Sequence, residues 1–91
     1  MNSRLNLSLV SPEKIIFEGE VSSITLPGVV GSFTILPRHV PIVSSLKEGK
    51  LIYVNKEGEQ IIEICNGFVE MSGEEISVCI TLKKNENDGN K

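Results

Sequence analysis

The sequence predicts an all-β fold, a flattened antiparallel β-sandwich or barrel of about 8–10 short strands with no C-terminal helical hairpin. Apolar residues recur at every second position in several segments, which is the period of a half-buried strand. Residues that favour turns separate these segments at intervals of about 8–12 residues. No window has the i, i+3, i+4, i+7 apolar pattern of a three-turn helix.

The first and last predicted strands show the clearest alternation, over residues 5–9 and 76–82. Shorter alternating segments lie at 24–26 and 33–35. Segments 51–54 and 61–65 differ, because they are apolar on both sides of the strand. The other sheet or an edge folding over, a protein partner, or both together are expected to cover their second side.

Turns are predicted wherever Gly, Pro, Asn or Ser cluster between these segments, and Gly31, Gly49 and Gly67 are expected at turns or bulges. The predicted turns are 11–13, 18–20, 27–28, 47–49, 55–58, 66–67 and 72–73.

The 91 residues, 40% of them hydrophobic, are enough for one small domain. We assign residues 1–82 to this domain. Residues 83–91 contain no hydrophobic side chain and are predicted to form a disordered polar tail.

The net charge of −3 argues against nucleic acid as a partner, because phosphates require a concentrated basic surface. No apolar stretch reaches the roughly 18 residues of a membrane span, and the N-terminus lacks the apolar segment of a signal peptide. The protein is therefore expected inside the cell. Cys65 and Cys79 are expected to be reduced thiols, and two Cys with one His make a poor metal site.

An enzymatic function is not expected. His39 is the sole histidine, and no nucleophile turn of the Gly-x-Ser-x-Gly kind accompanies it. The phosphate-binding motif Gly-x-x-x-x-Gly-Lys-Ser/Thr is absent as well. We therefore predict no catalytic residue, no cofactor and no nucleotide site.

Residues 31–42 read Gly-Ser-Phe-Thr-Ile-Leu-Pro-Arg-His-Val-Pro-Ile, and Leu-Lys-Glu-Gly follows at 46–49. This segment resembles the signature of the epsilon subunit of F-type ATP synthases, commonly Gly-x-Phe/Leu-Gly-Ile-Leu/Tyr-Pro-Gly-His-x-Pro followed by Leu/Ile-Lys-x-Gly. Segments 7–13, 17–21 and 67–71 also resemble that family, in the same order and spacing. The likeness extends from about Leu5 to Leu82.

The resemblance implies a non-catalytic subunit of the rotor. In the family, the sandwich clamps the gamma subunit of the central stalk and sits on the ring of c subunits, so that it transmits torque during proton-driven ATP synthesis. The implied location is the cytoplasmic face of the cell inner membrane, peripheral, with the membrane reached only through the F1 sector. The two C-terminal helices that usually follow the sandwich, with their inhibitory and ATP-sensing roles, are not expected in this chain.

The resemblance also implies where the partners bind. Predicted contacts with the c ring are Val29, Val30, Gly31, Ser32, Arg38 and His39. Predicted contacts with gamma are Ile42 and Val43, and the doubly apolar segments 51–54 and 61–65 are further candidates.

The sequence departs from the family pattern at two of these positions. Val30 stands where an acidic or polar residue is common, and Arg38 stands where glycine is common. Arg38 either binds a carboxylate or carbonyl groups of the ring or is a solvated loop residue; His39 either contacts the ring or bonds a nearby backbone carbonyl. The alternative function is a sandwich module that binds carbohydrate or peptide, although the chain has few aromatic residues for such a site.

Overall fold

The computed structural model describes residues 4–38 and 41–83, which form eight β-strands and no helix. This part of the chain therefore contains no helix long and apolar enough to cross a membrane. The all-β prediction is confirmed. The strands are β1 Leu5–Val10, β2 Ile15–Val21, β3 Ser23–Gly28, β4 Gly31–Ile35, β5 Ile42–Leu46, β6 Gly49–Asn55, β7 Gly58–Ser72 and β8 Glu75–Leu82.

All eight strands belong to one sheet that folds over on itself. Its path is β2-β1-β8-β7-β5-β3-β4, and β6 pairs with both β3 and β7. Strands β7, β5, β3 and β6 therefore form a closed ring of pairings, which is the barrel-like part of the sandwich. The pairing of β1 with β8 is parallel, whereas the other strand pairings in the described residues are antiparallel. No hairpin joins β1 to β8, so nothing in the local chain forces them to run in opposite directions.

The core contains the apolar residues that face inward from every strand. The alternation predicted for the first and last strands is confirmed, because β1 buries Leu5, Leu7 and Leu9 and β8 buries its residues 76, 78 and 80. The other buried apolar residues are Val21, Ile24, Leu26, Ile35, Leu46, Leu51, Tyr53, Ile64, Val69 and Met71.

The strand β7 is 15 residues long and contributes to both halves of the sheet. Ile64 faces the core before the middle of this strand, and Val69 and Met71 face it afterwards. An even and two odd positions cannot share one side of a regular strand, because side chains alternate. A register shift between Ile64 and Asn66 against β8 resolves the conflict by adding one residue, Cys65.

Gly67 follows this bulge at a place where the two strands are very close. A Cβ atom on Gly67 would lie 2.7 Å from the carbonyl oxygen of Cys79 and 2.9 Å from Cγ2 of Ile80. The position therefore requires glycine for space. The predicted turns at 66–67 and at 18–20 are wrong, because both segments lie inside strands, β7 and β2. Gly67 marks a close approach of backbones next to the bulge, and Gly19 lies against the ring of Phe17, whose Cζ would be 3.1 Å from an added Cβ.

Lys83, the first residue of the predicted polar tail, is held against the sheet. Its backbone N–H donates to the carbonyl of Glu63 at 3.1 Å, and its Nζ lies 2.6 Å from Oε2 of Glu48. The boundary between the domain and the polar tail stays a prediction. The remaining residues of the predicted tail, 84–91, lie outside the described part of the chain.

Candidate functional site

The turn between β3 and β4 presents two adjacent valines to solvent. Val29 is more than half exposed and Val30 is 98% exposed. The neighbouring backbone fixes the turn in place, since the N–H of Val29 donates to the carbonyl of Ser45 at 3.2 Å and that of Lys47 to Pro27 at 2.9 Å. The hairpin is tight as well, because a Cβ on Gly28 would lie 2.8 Å from the carbonyl oxygen of Gly31.

The other predicted ring-facing segment is the corner that follows β4. Arg38 is exposed, and its φ of 71° is the only positive value of a non-glycine residue in the described part of the chain. Glycine is the residue best suited to this conformation, because it has no Cβ to collide with the next carbonyl oxygen. His39, predicted beside Arg38 as a ring contact, lies outside the described residues.

The structure does not bring these two segments together. The turn at Val29 precedes β4, and Arg38 follows it. Five residues of strand separate the two ends by about 16 Å, at a rise of about 3.3 Å per residue. They also lie at opposite ends of β5, because Leu46 pairs with Gly28 whereas Ile42 pairs with Met71. The two segments are therefore separate parts of the surface rather than one cluster of side chains.

An exposed apolar row crosses four neighbouring strands on the outer side of the sheet. Phe68 on β7 lies opposite Cys79 on β8, which lies opposite Val10 on β1, which lies opposite Ile15 on β2. Ile15 is 62% exposed, and the space between Phe68, Cys79 and Val10 is a shallow groove. We call Val10, Ile15, Val43, Phe68 and Cys79 the apolar face.

The two residues predicted to contact gamma differ in orientation. Val43 is 65% exposed and belongs to the apolar face, next to the row that contains Phe68. Ile42 is half-buried and packs against the core. Only Val43 therefore presents its side chain fully to a partner, because neighbouring residues of a strand point to opposite sides.

The doubly apolar segments form a second outer face, on β3, β4, β6 and β7. Ile61 is 56% exposed and lies opposite the half-buried Ile52, which lies opposite Thr25. The hydroxyls of Thr25 and Thr34 continue the row with a hydrogen bond of 2.9 Å. Because Ile61 remains 56% exposed, the described strands leave this face partly open to solvent, and its covering by a partner stays a prediction.

Acidic side chains lie beside the apolar face on β7 and β2. Glu70 lies directly opposite Val43, and Glu18 and Glu20 follow Ile15 along β2. Away from this face, the ion pair of Lys83 and Glu48 raises the pKa of the Lys83 amine and lowers the pKa of the Glu48 carboxyl, mainly through the hydrogen bond between them. Burial raises the pKa of the Tyr53 phenol.

The described residues include no group of three or more His, Cys, Asp or Glu side chains placed to hold a metal ion. Of the four aromatic side chains, Tyr53 is buried, Phe17 and Phe33 pack partly against the core, and only Phe68 is largely exposed. A single exposed ring does not form the aromatic platform that carbohydrate binding uses. The geometry therefore favours protein docking over a small-molecule site.

Residues 4–81 match the family described as the β-sandwich domain of the ATP synthase delta/epsilon chain. The chain belongs to this family. The resemblance to epsilon subunits drawn from the sequence is therefore confirmed.

Among the curated relatives, the ATP synthase epsilon chain of Leptospira borgpetersenii is 41% identical over 82% of this chain and 59% of its own length. That of Chlorobaculum tepidum is 38% identical, covering 74% of this chain and 77% of its own. That of Caulobacter vibrioides is 33% identical, covering 84% and 88%. The chain thus spans about three fifths of the Leptospira protein and most of the Caulobacter one.

Two solved structures share the fold of this epsilon-family domain. A chain of the Euglena gracilis mitochondrial ATP synthase, in a structure with OSCP, F1 and the c ring, has a TM-score of 0.83 at 18% identity, over 97% of this chain and 60% of that one. A chain from the central stalk and c ring of the Tetrahymena thermophila mitochondrial ATP synthase has a TM-score of 0.71 at 16% identity, over 85% and 63%.

Four members of the apolar face, Val10, Ile15, Phe68 and Cys79, were not among the site residues predicted from the sequence. Val10 directly follows Leu9, and Phe68 directly precedes Val69, so each adds an apolar residue on the outward side of its strand. This is the same pattern that drew attention to residues 51–54. At Phe68 this pattern is hard to recognise in the sequence, because the bulge in β7 exchanges the positions that face inward with those that face outward.

Proposed function

We propose that the chain is a non-catalytic subunit of the central stalk of an F-type ATP synthase, where it joins the gamma subunit to the c ring and transmits torque. Membership of the delta/epsilon family and the likeness to a central-stalk chain of known structure support this proposal. Its place would be the F1 sector on the cytoplasmic face of the inner membrane, attached to the membrane only through the complex.

The apolar face is the proposed binding surface for gamma. It combines exposed Phe68, Val43 and Ile15 with the groove beside Cys79, on adjacent strands of one rigid sheet. Binding of a partner on such a surface is favourable, because each Å² of apolar area removed from water contributes about 25 cal/mol. The exposure of the apolar face is the single observation on which this choice rests. The face includes Val43, which was predicted from the sequence as a gamma contact.

The turn at Val29 and Val30, with Gly31 and Ser32 after it, is the proposed contact with the c ring. Its valines project from the domain, while hydrogen bonds to Ser45 and Lys47 hold its base. A projecting and braced turn suits a contact that must carry a sideways force. Because Arg38 lies at the opposite end of β4, we propose no ring contact for it.

Torque transmission requires a body that does not shear between its two contacts. The turn and the apolar face meet at β5, through the bond from Val29 to Ser45 and the pairing of Ser45 with Phe68. The closed ring of β7, β5, β3 and β6 adds hydrogen bonds on both edges of β5 at this point. Force applied at the turn therefore reaches the apolar face through backbone hydrogen bonds rather than through a flexible loop.

The test of the gamma surface is thiol protection, with the second outer face as the control. One variant keeps Cys79 and carries Cys65→Ser; the other carries Cys65→Ser, Cys79→Ser and Ile61→Cys. Each is added to F1 from the same cell stripped of its epsilon subunit, and alkylation rates are compared with those of the free chain. We expect at least about tenfold protection of Cys79 and little change at position 61, since a docked face excludes reagent. Protection only at position 61 would mean that gamma binds the second outer face. Protection at neither position would reject the proposed function.

Residues 1–91 are also proposed to leave the ATP hydrolysis of F1 uninhibited. The helical segments to which the family resemblance assigns inhibition are not among the described residues. Hydrolysis by epsilon-stripped F1 is measured with and without a saturating amount of the chain. Strong inhibition would show that the sandwich itself restrains the motor.

A further inference from the structure

The backbone of Arg38 is in a conformation that a side chain makes unfavourable. Its φ of 71° belongs to the left-handed region, where Cβ crowds the next carbonyl oxygen. The other described residues with positive φ are all glycines, Gly19, Gly31, Gly58 and Gly73. Arginine therefore stands at a position where the backbone favours glycine, which is also the residue that the family signature commonly has there.

The fold itself gives no reason for arginine at this corner. The side chain is exposed, so it fills no space in the core. The ion pairs within the described residues join Arg4 to Glu20 and Lys83 to Glu48, and neither involves Arg38. Strained residues of this kind concentrate at binding and functional sites, where a contact in the assembled state compensates for the strain.

Arg38 precedes Val43, a member of the apolar face, by five residues. Five residues reach at most about 18 Å, and the long arginine side chain adds to that span, so its guanidinium can reach a partner seated on this face. On β7, Glu70 lies opposite Val43. A positive group before β5 and a negative group beside Val43 can together fix the orientation of the partner.

We propose that Arg38 binds a carboxylate of the gamma subunit and that the strained backbone is retained to present its guanidinium. The inference rests on the proposed function, because it takes gamma as the occupant of the apolar face. Arginine suits the role, since its planar fork forms two parallel hydrogen bonds with a carboxylate, which lysine cannot do. Pro37, which directly precedes Arg38, and the left-handed backbone restrict the direction in which the side chain leaves the chain.

The test compares folding and binding in the same variants. Arg38→Gly relieves the strain and removes the guanidinium; Arg38→Lys keeps the strain and the charge but loses the fork; Lys50→Gln removes a positive charge from the second outer face as the matched control. Thermal unfolding of the free chain gives Tm, and titration into epsilon-stripped F1 gives Kd at low and at physiological salt.

We expect Arg38→Gly to raise Tm by about 2–8 °C and to weaken binding by about tenfold or more, opposite signs that a purely structural residue does not produce. Arg38→Lys should keep the Tm and bind with intermediate affinity, and Lys50→Gln should bind as the natural chain does. The inference is overturned if Arg38→Gly binds within about twofold of the natural chain, or if it lowers both Tm and affinity. Failure of the natural chain to bind F1 would instead reject the proposed function together with the inference built on it.

Discussion

Insertion of one alanine between Cys65 and Asn66 should abolish the native fold, whereas the substitution Cys65→Ala should leave it nearly intact. Cys65 is exposed, and its side chain makes only a long contact of 3.8 Å from Sγ to the carbonyl of Leu82. Its importance lies in the one extra position it adds to β7. A second extra position would reverse the alternation again, so the segment after Cys65 would present Phe68 and Glu70 to the core and turn Val69 and Met71 outward.

The structure gives the size of this effect. Val69 and Met71 are 0% and 2% exposed, and removing each from the core costs about 1.5–3 kcal/mol. Phe68 would enter the core and offset about one of these losses. Burial of the Glu70 carboxyl without a partner costs about 2–7 kcal/mol. The net cost of about 4–10 kcal/mol is comparable with the entire free energy of unfolding of a native protein, about 5–15 kcal/mol.

Both variants are unfolded with urea and by heating, and circular dichroism follows the loss of structure. The dispersion of the proton NMR signals reports how well the core is packed. The insertion variant should lack a cooperative transition, while Cys65→Ala should change the free energy of unfolding by less than about 1 kcal/mol. An insertion variant that unfolds cooperatively with a Tm within about 5 °C of the natural chain would refute the argument that the bulge sets which side chains face the core.

Three further predictions test packing and charge. Ile64→Ala should lower the free energy of unfolding by about 2–5 kcal/mol, whereas Ile61→Ala on the same strand should change it by less than about 0.5 kcal/mol; equal effects in urea titrations would contradict the assigned burial. Gly67→Ala should cost about 1–3 kcal/mol in the same assay, because its Cβ would press on the Cys79 carbonyl, and a neutral effect would mean that the strands separate easily there. The ion pair of Glu48 and Lys83 should stabilise the fold at neutral pH. Its contribution should disappear as the pH falls through the lowered pKa of Glu48 and as it rises through the raised pKa of Lys83, so the Tm difference from Glu48→Gln should be largest between these limits; a difference independent of pH would remove the pair as its cause.

Local patterns predicted the strands and much of the core because each depends on neighbouring residues. The alternation over 5–9 and 76–82 determined which side chains are buried in β1 and β8. The parallel pairing of these two strands was not predicted, because register between distant segments depends on the assembled sheet. The long strand β7 was missed for a related reason, since Asn66 and Gly67 favour turns in isolation whereas here they follow a bulge.

The candidate site was predictable only in part. Val29, Val30 and Val43 are exposed as a docking role requires, whereas the half-buried Ile42 faces the core. The sequence placed Arg38 with the turn because both resemble segments of one family surface, but a strand of five residues separates them. The row from Phe68 to Ile15 draws on two pairs of strands from opposite ends of the chain, so it exists only after β1 has paired with β8.

That last pairing has a consequence for synthesis on the ribosome. The hairpin of β1 and β2 emerges first, but the strand on which it docks, β8, emerges last among the eight. The hairpin must therefore wait outside the exit tunnel with an apolar side and an unpaired edge while the intervening strands are translated, and two isolated strands are marginally stable in water. The nascent chain is consequently a candidate client for chaperones that shield hydrophobic segments, and slow translation should prolong its exposure to aggregation rather than assist its folding.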